Sequence, residues 1–115
     1  MKIINTELFN ETFQYFDKEI VVEIIDIFIN EYSERISKIN EAIQTKNFAD
    51  LKFTAHSMKG VVANFAVPEL QAMARDLEIA GAEQNLNNID EKFANFSTQS
   101  QWLVDDLTEI RSQFL

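Results

Sequence analysis

The chain contains one histidine, His56, in the run Ala55-His56-Ser57-Met58-Lys59-Gly60-Val61-Val62-Ala63-Asn64-Phe65. Near neutral pH an imidazole offers one nucleophilic ring nitrogen while the other holds the proton, which suits it to carry a phosphoryl group. Read as a helix at about 100° per residue, this region puts Leu51, Thr54, Ala55, Met58, Val61, Val62 and Phe65 on one side, facing a core. His56 falls opposite, toward solvent. Lys52, Lys59, Gly60 and Ala63 lie within about 60° of it, with Phe53 at the margin.

Three features of that face are unusual. Gly60 sits mid-helix, at a cost of about 1 kcal/mol against alanine, and removes side-chain bulk one turn from the histidine. Lys52 and Lys59 bring two ammonium groups to a chain with 10 Lys and Arg against 19 Asp and Glu; such groups neutralise a phosphoryl group and its transferring oxygens. The neighbours of His56 are small and leave the ring standing clear. A lone histidine among lysines is a poor ligand set and no Glu-x-x-His pair occurs, so no metal site is expected. No glycine-rich nucleotide loop is visible either, so self-phosphorylation from ATP is not expected.

The face needs a rigid support. At 115 residues the chain suits one compact domain, residues 1–115. Two glycines and one proline are few for a β protein of this size. Five helices are predicted. The first, about Glu7 to Tyr15, is capped by Asn5 or Thr6 and shows Leu8, Phe9, Phe13 and Phe16 on one broad face. Asp17 caps a second helix to about Thr45. Its first half is apolar nearly all round and is expected to be buried all round, under the first helix as well as the bundle. Its second half narrows to Tyr32, Ile36, Ile39 and Ile43. Asn47 caps the third, about Phe48 to Asn64, and a corner follows at Phe65-Ala66-Val67. The fourth runs from Pro68, a tolerated first helical residue, to about Ala82. A loop from Glu83 to Asn87 precedes Asn88 and Glu91, spaced as a capping box. The last helix carries a seam of Phe93, Phe96, Ser100, Leu103, Leu107, Ile110 and Phe114. The predicted fold is all-α: an antiparallel up-down-up-down four-helix bundle with an additional short N-terminal helix.

Net charge −9 argues against a nucleic-acid binder and disfavours an anionic membrane surface. There is no signal peptide and no apolar run able to span a bilayer. With no cysteine, the core rests on packing alone, and a reducing cytoplasm fits.

The run around His56 resembles the signature of histidine-containing phosphotransfer (HPt) domains: an Ala-His pair, a hydrophobic residue, Lys-Gly, then small residues and Ala-Asn-Phe. The continuation Glu69-Leu70, Ala74 and Leu77-Glu78-Ile79-Ala80 resembles the family's next helix. The likeness implies that His56 is the phosphoacceptor, modified on Nε2. It implies that Lys59 stabilises the phosphoryl group and that Gly60 lets a receiver domain approach. By the same likeness Glu78 hydrogen-bonds and orients the imidazole, although as a residue it reads equally as surface. Lys52, Phe53 and Ala63 would border the partner surface; Lys52 alone reads as a plain surface lysine, and Phe53 as either a docking residue or a half-covered one. The implied partners are response-regulator receiver domains and a hybrid sensor histidine kinase. The implied Mg²⁺ belongs to the receiver, and this chain needs no cofactor of its own.

Two departures stand out. Val61 and Val62 replace small polar residues, and Ala66 stands where the family commonly has glycine; if its φ is positive the alanine costs about 1 kcal/mol. Met1 and the five-helix plan favour a free-standing protein, and a monomer is the default. The alternative is a helical interaction module that binds a receiver or other signalling protein without phosphotransfer. An enzyme with His56 as general base would lack a second catalytic residue. Trp102 lies about 120° off the last helix's seam and covers the first helix or joins a partner surface.

Overall fold

The computed structural model describes residues 2 to 114. Among them are five α-helices and no strand: α1 Thr6–Phe13, α2 Lys18–Gln44, α3 Phe48–Val62, α4 Pro68–Glu83 and α5 Ile89–Gln113, with one 3₁₀ turn, Ala63–Phe65. Local chemistry sets most boundaries. Asn5 accepts a hydrogen bond from the Leu8 amide at 3.1 Å, which makes it the cap of α1. Asn47 does the same for the Asp50 amide at 3.1 Å. Pro68 opens α4 at a position whose amide would have no helical partner. That helix closes on Gln84, whose backbone turns left-handed while the amides of Gln84 and Asn85 reach back to the carbonyls of Gly81 and Ala80.

The long helices adjoin in the cyclic order α2, α3, α4, α5, with α3 against α4 the closest pair and α5 closing onto α2. Their shared interior holds Ile25, Ile39, Leu51, Met58, Leu77 and Phe96, all essentially inaccessible. Ser100 is the buried polar residue of the α5 seam, and the Tyr32 hydroxyl meets its hydroxyl at 2.7 Å. Asp106, also buried, ties down the segment before α1 by accepting from the Ile3 and Ile4 amides at 2.6 and 2.9 Å. No helix among the described residues is long and apolar enough to cross a membrane.

Several expectations need correction. The first half of α2 is not buried all round: Val21, Ile25 and Phe28 are buried, whereas Ile20 and Ile27 are exposed. The reason is the size of α1. Its eight residues bury only Phe9 and Phe13, and Leu8 and Phe16 of the predicted face remain exposed. One short helix covers one flank of a cylinder and no more. Asp17 stands at the cap of α2 but its side chain caps nothing. The box at Asn88 and Glu91 does not form either, because Asn88 takes φ 58°, and a left-handed residue does not direct its side chain along the β-region path a capping residue uses. The third α-helix ends at Val62, two residues before the predicted Asn64, and tightens into the 3₁₀ turn.

Ala66 ends that turn at φ 57°, ψ 49°. The positive φ suspected from the missing glycine is present, and an alanine held there is strained. Ala66→Gly is expected to raise stability by about 0.5–1 kcal/mol, the relief of strain exceeding the glycine's extra freedom in the unfolded chain. Chemical denaturation, with the slope unchanged and the midpoint raised, checks it.

Candidate functional site

The site is assembled from α3 and α4. The helical register of α3 buries Leu51, Ala55, Met58 and Val62, as the wheel requires, and so turns His56 outward near the middle of the helix. Its side chain is 66% exposed. Across from it α4 buries Leu70, Ala74 and Leu77, which directs the next residue, Glu78, along the seam between the two helices. Glu78 is only 17% exposed and serves two donors: its Oε2 lies 2.6 Å from His56 Nδ1, and its Oε1 accepts from Lys59 Nζ at 2.7 Å.

This geometry selects the tautomer of the neutral ring. An ionised carboxylate only accepts hydrogen bonds, so the proton of the neutral imidazole sits on Nδ1 and the lone pair on Nε2. The Glu78 carboxyl does stay ionised. The hydrogen bond from Lys59 holds its pKa below the ordinary glutamate value; partial burial works against this, and the hydrogen bond from His56 and the charge of Lys59 add to it.

Lys52 and Phe53 join Ala49, His56 and Glu78 around a shallow depression of about 300 Å³. Phe53 is not half-covered: it is 73% exposed. A Cβ built on Gly60 would meet nothing within 4 Å, so packing does not require that glycine. Ala63 is exposed but lies in the 3₁₀ turn rather than in α3. Lys59 does not stand free beside the ring, since its ammonium is paired with Glu78.

Two residues went unnoticed in the sequence. Arg35 of α2 donates from Nη1 to the hydroxyl of Ser57, His56's neighbour, at 2.8 Å and also pairs with Glu31. The Glu31–Arg35 spacing of four was its visible signal. Arg75 of α4, one turn before Glu78, lines a notch of about 310 Å³ with Lys59, Pro68, Gln71 and Ala72. Its three-residue offset from Glu78 would have placed it near the same face.

The family model described as "Hpt domain" matches residues 23–113. The chain belongs to the Hpt domain family. Members are phosphoryl carriers rather than kinases and work with the receiver domains and kinases of two-component phosphorelays. The fold agrees with that of a solved structure, the crystal structure of histidine-containing phosphotransfer protein B (HptB) from Pseudomonas aeruginosa PAO1. It matches with a TM-score of 0.86 at 19% identity, over 96% of each chain. No curated protein matches the chain. As an Hpt domain the chain is a histidine phosphotransfer protein, and its single histidine is His56.

Proposed function

We propose that this Hpt domain accepts a phosphoryl group on His56 Nε2 from the aspartate of one receiver domain and passes it to another. The observation that carries this is the bond from His56 Nδ1 to Glu78 on an otherwise exposed ring. The Nε2 lone pair attacks phosphorus, the acyl phosphate P–O bond breaks, and its electron pair leaves on the aspartate carboxylate. The N–P bond that forms gives the ring positive charge, which the Nδ1–H···Glu78 contact stabilises. The Nδ1 proton stays where it is throughout, so the reverse transfer needs no proton movement. Lys59, held by Glu78, neutralises the transferring oxygens as the phosphoryl arrives. Open space over Gly60 admits the receiver, and Lys52, Phe53 and Ala63 border the surface it covers. Mg²⁺ enters with the receiver, and the chain itself contributes no cofactor or metal.

The same reading treats residues 1–115 as one cytoplasmic, monomeric domain. It takes the cyclic neighbourhood of α2 to α5 as an antiparallel up-down-up-down bundle, which their short connections favour. A module that only docked partners would have no use for a histidine whose tautomer is fixed by a seam carboxylate.

The test is to mix the protein with receiver domains phosphorylated by acetyl phosphate in Mg²⁺ and follow acid-labile, alkali-stable phosphate on the chain. Labelling is expected in the wild type and none in His56→Gln. Labelling that survived in His56→Gln would remove the named acceptor, and a wild type unlabelled by every receiver would leave the docking module as the better reading.

A further inference from the structure

Of the ten Lys and Arg in the sequence, Lys2, Arg35, Lys38, Lys59 and Arg111 each lie within 4 Å of a carboxylate. Among the described residues Lys18, Lys46, Lys52, Lys92 and Arg75 have no such partner, and Arg75 is the one arginine of three in that group. A chain of net charge −9 has many carboxylates with which to pair a guanidinium, yet this one is left open. It opens onto the notch of about 310 Å³, where the lining is two cations, Lys59 and Arg75, the amide of Gln71, and the apolar Pro68 and Ala72. No carboxylate lines it. The depression between α2 and α3 differs in this respect, since Glu31 and Glu34 there balance Arg35 and Lys38. His56 is not among the residues of the notch, so a phosphoryl group on Nε2 is not its natural occupant.

We infer that this notch receives an acidic side chain of the receiver domain, which pairs with Arg75 and sets the receiver's register over His56. The inference rests on the phosphotransfer reading and adds to it a specificity-determining residue. The chemistry is charge complementarity. A guanidinium presents a planar fork of donors that a carboxylate meets with both oxygens, and the Gln71 amide adds a donor beside it. An acidic chain repels an acidic partner over most of its surface, so an open cation at the rim of the site both attracts the approaching face and orients it. Lys59 is partly neutralised by Glu78, which leaves Arg75 as the unshared charge of the notch.

The experiment compares two phosphoryl donors. One is the phosphorylated receiver that labels the wild type fastest. The other is phosphoramidate, which needs no docking: Nε2 attacks its phosphorus and ammonia leaves. Arg75→Glu is expected to slow transfer from the receiver about tenfold at low salt, and Arg75→Gln by less. The deficit should shrink as salt shortens the screening length toward about 3 Å near 1 M. Labelling by phosphoramidate and the thermal midpoint should stay at wild-type values in both variants. Receiver transfer at the wild-type rate in Arg75→Glu would overturn the assignment. So would an equal loss with phosphoramidate, which would put Arg75 on the phosphoryl group instead. A wild type labelled by neither donor would overturn the phosphotransfer reading as well, whereas a labelled wild type with an indifferent Arg75→Glu sinks the docking role alone.

Discussion

Glu78→Ala should slow phosphoryl transfer to His56 by about a hundredfold and leave the protein folded. One carboxylate performs three tasks here. Under the proposed transfer it would keep the proton on Nδ1, stop rotation of an otherwise exposed ring, and offset the positive charge that the ring acquires as Nε2 bonds to phosphorus. Removing the orienting acid of a buried Ser-His-Asp arrangement costs about 10⁴, much of it from the wrong tautomer. The loss is smaller here because water can reach His56 and because Lys59, released from Glu78, becomes free to meet the phosphoryl oxygens. Glu78→Gln keeps an acceptor for Nδ1 but no charge, and about a tenfold loss is expected. Ring ¹⁵N shifts separate this from an unspecific effect: the wild type should show the Nδ1–H tautomer, and Glu78→Ala a mixture. A variant that kept both the rate and the tautomer would remove Glu78 from the site. The pH dependence follows from the direction of the shift. A carboxyl whose folded pKa lies below its unfolded one, about 4.3 for glutamate, contributes its stabilisation at and above that range. It loses it only as pH falls through the lowered folded value. Wild-type anchoring of the ring should therefore persist across neutral and mildly acidic pH and fail only in stronger acid.

What could be read in advance was what depends on neighbours along the chain. The wheel of α3 put His56 outside and Leu51, Ala55, Met58 and Val62 inside because register is a local property, and Asn47 and Pro68 act on amides within a turn of themselves. The exposed flank of α2 was misread because Ile20 and Ile27 are as apolar as Ile25; what leaves them open is that α1, eight residues long, runs out of surface to cover them. Asn88 had the composition of a cap but not the backbone for one. The pairing of Glu78 with His56 spans 22 positions, and only the family likeness suggested it. Arg75 was missed for a related reason: its meaning comes from the absence of a carboxylate in space, and no stretch of sequence displays that.

Gly81 shows how far such long-range contacts reach into function, and Gly81→Ala is the second change expected to have a large effect. A Cβ at Gly81 would stand 2.6 Å from the Lys52 amide nitrogen, 2.9 Å from the Phe48 carbonyl oxygen and 3.0 Å from Lys52 Cα. All three are backbone atoms of α3, so no rotamer change can make room. The helices must separate, at a cost of about 1–3 kcal/mol for overpacking of this kind, only partly offset by alanine's better helix propensity. Gly60→Ala is the matched control: it meets nothing, and it should gain up to about 1 kcal/mol. The consequence for chemistry comes from position. Lys52 is one turn before His56 and Gly81 is three residues after Glu78, so the separation opens beside the 2.6 Å contact that fixes the imidazole. Gly81→Ala should therefore lower the denaturation midpoint and also loosen the Nδ1–H tautomer, slowing transfer at temperatures where the protein is still fully folded. A variant destabilised as expected but with an unaltered ring tautomer would mean that α3 yields elsewhere, and that the close approach of the two helices serves stability alone.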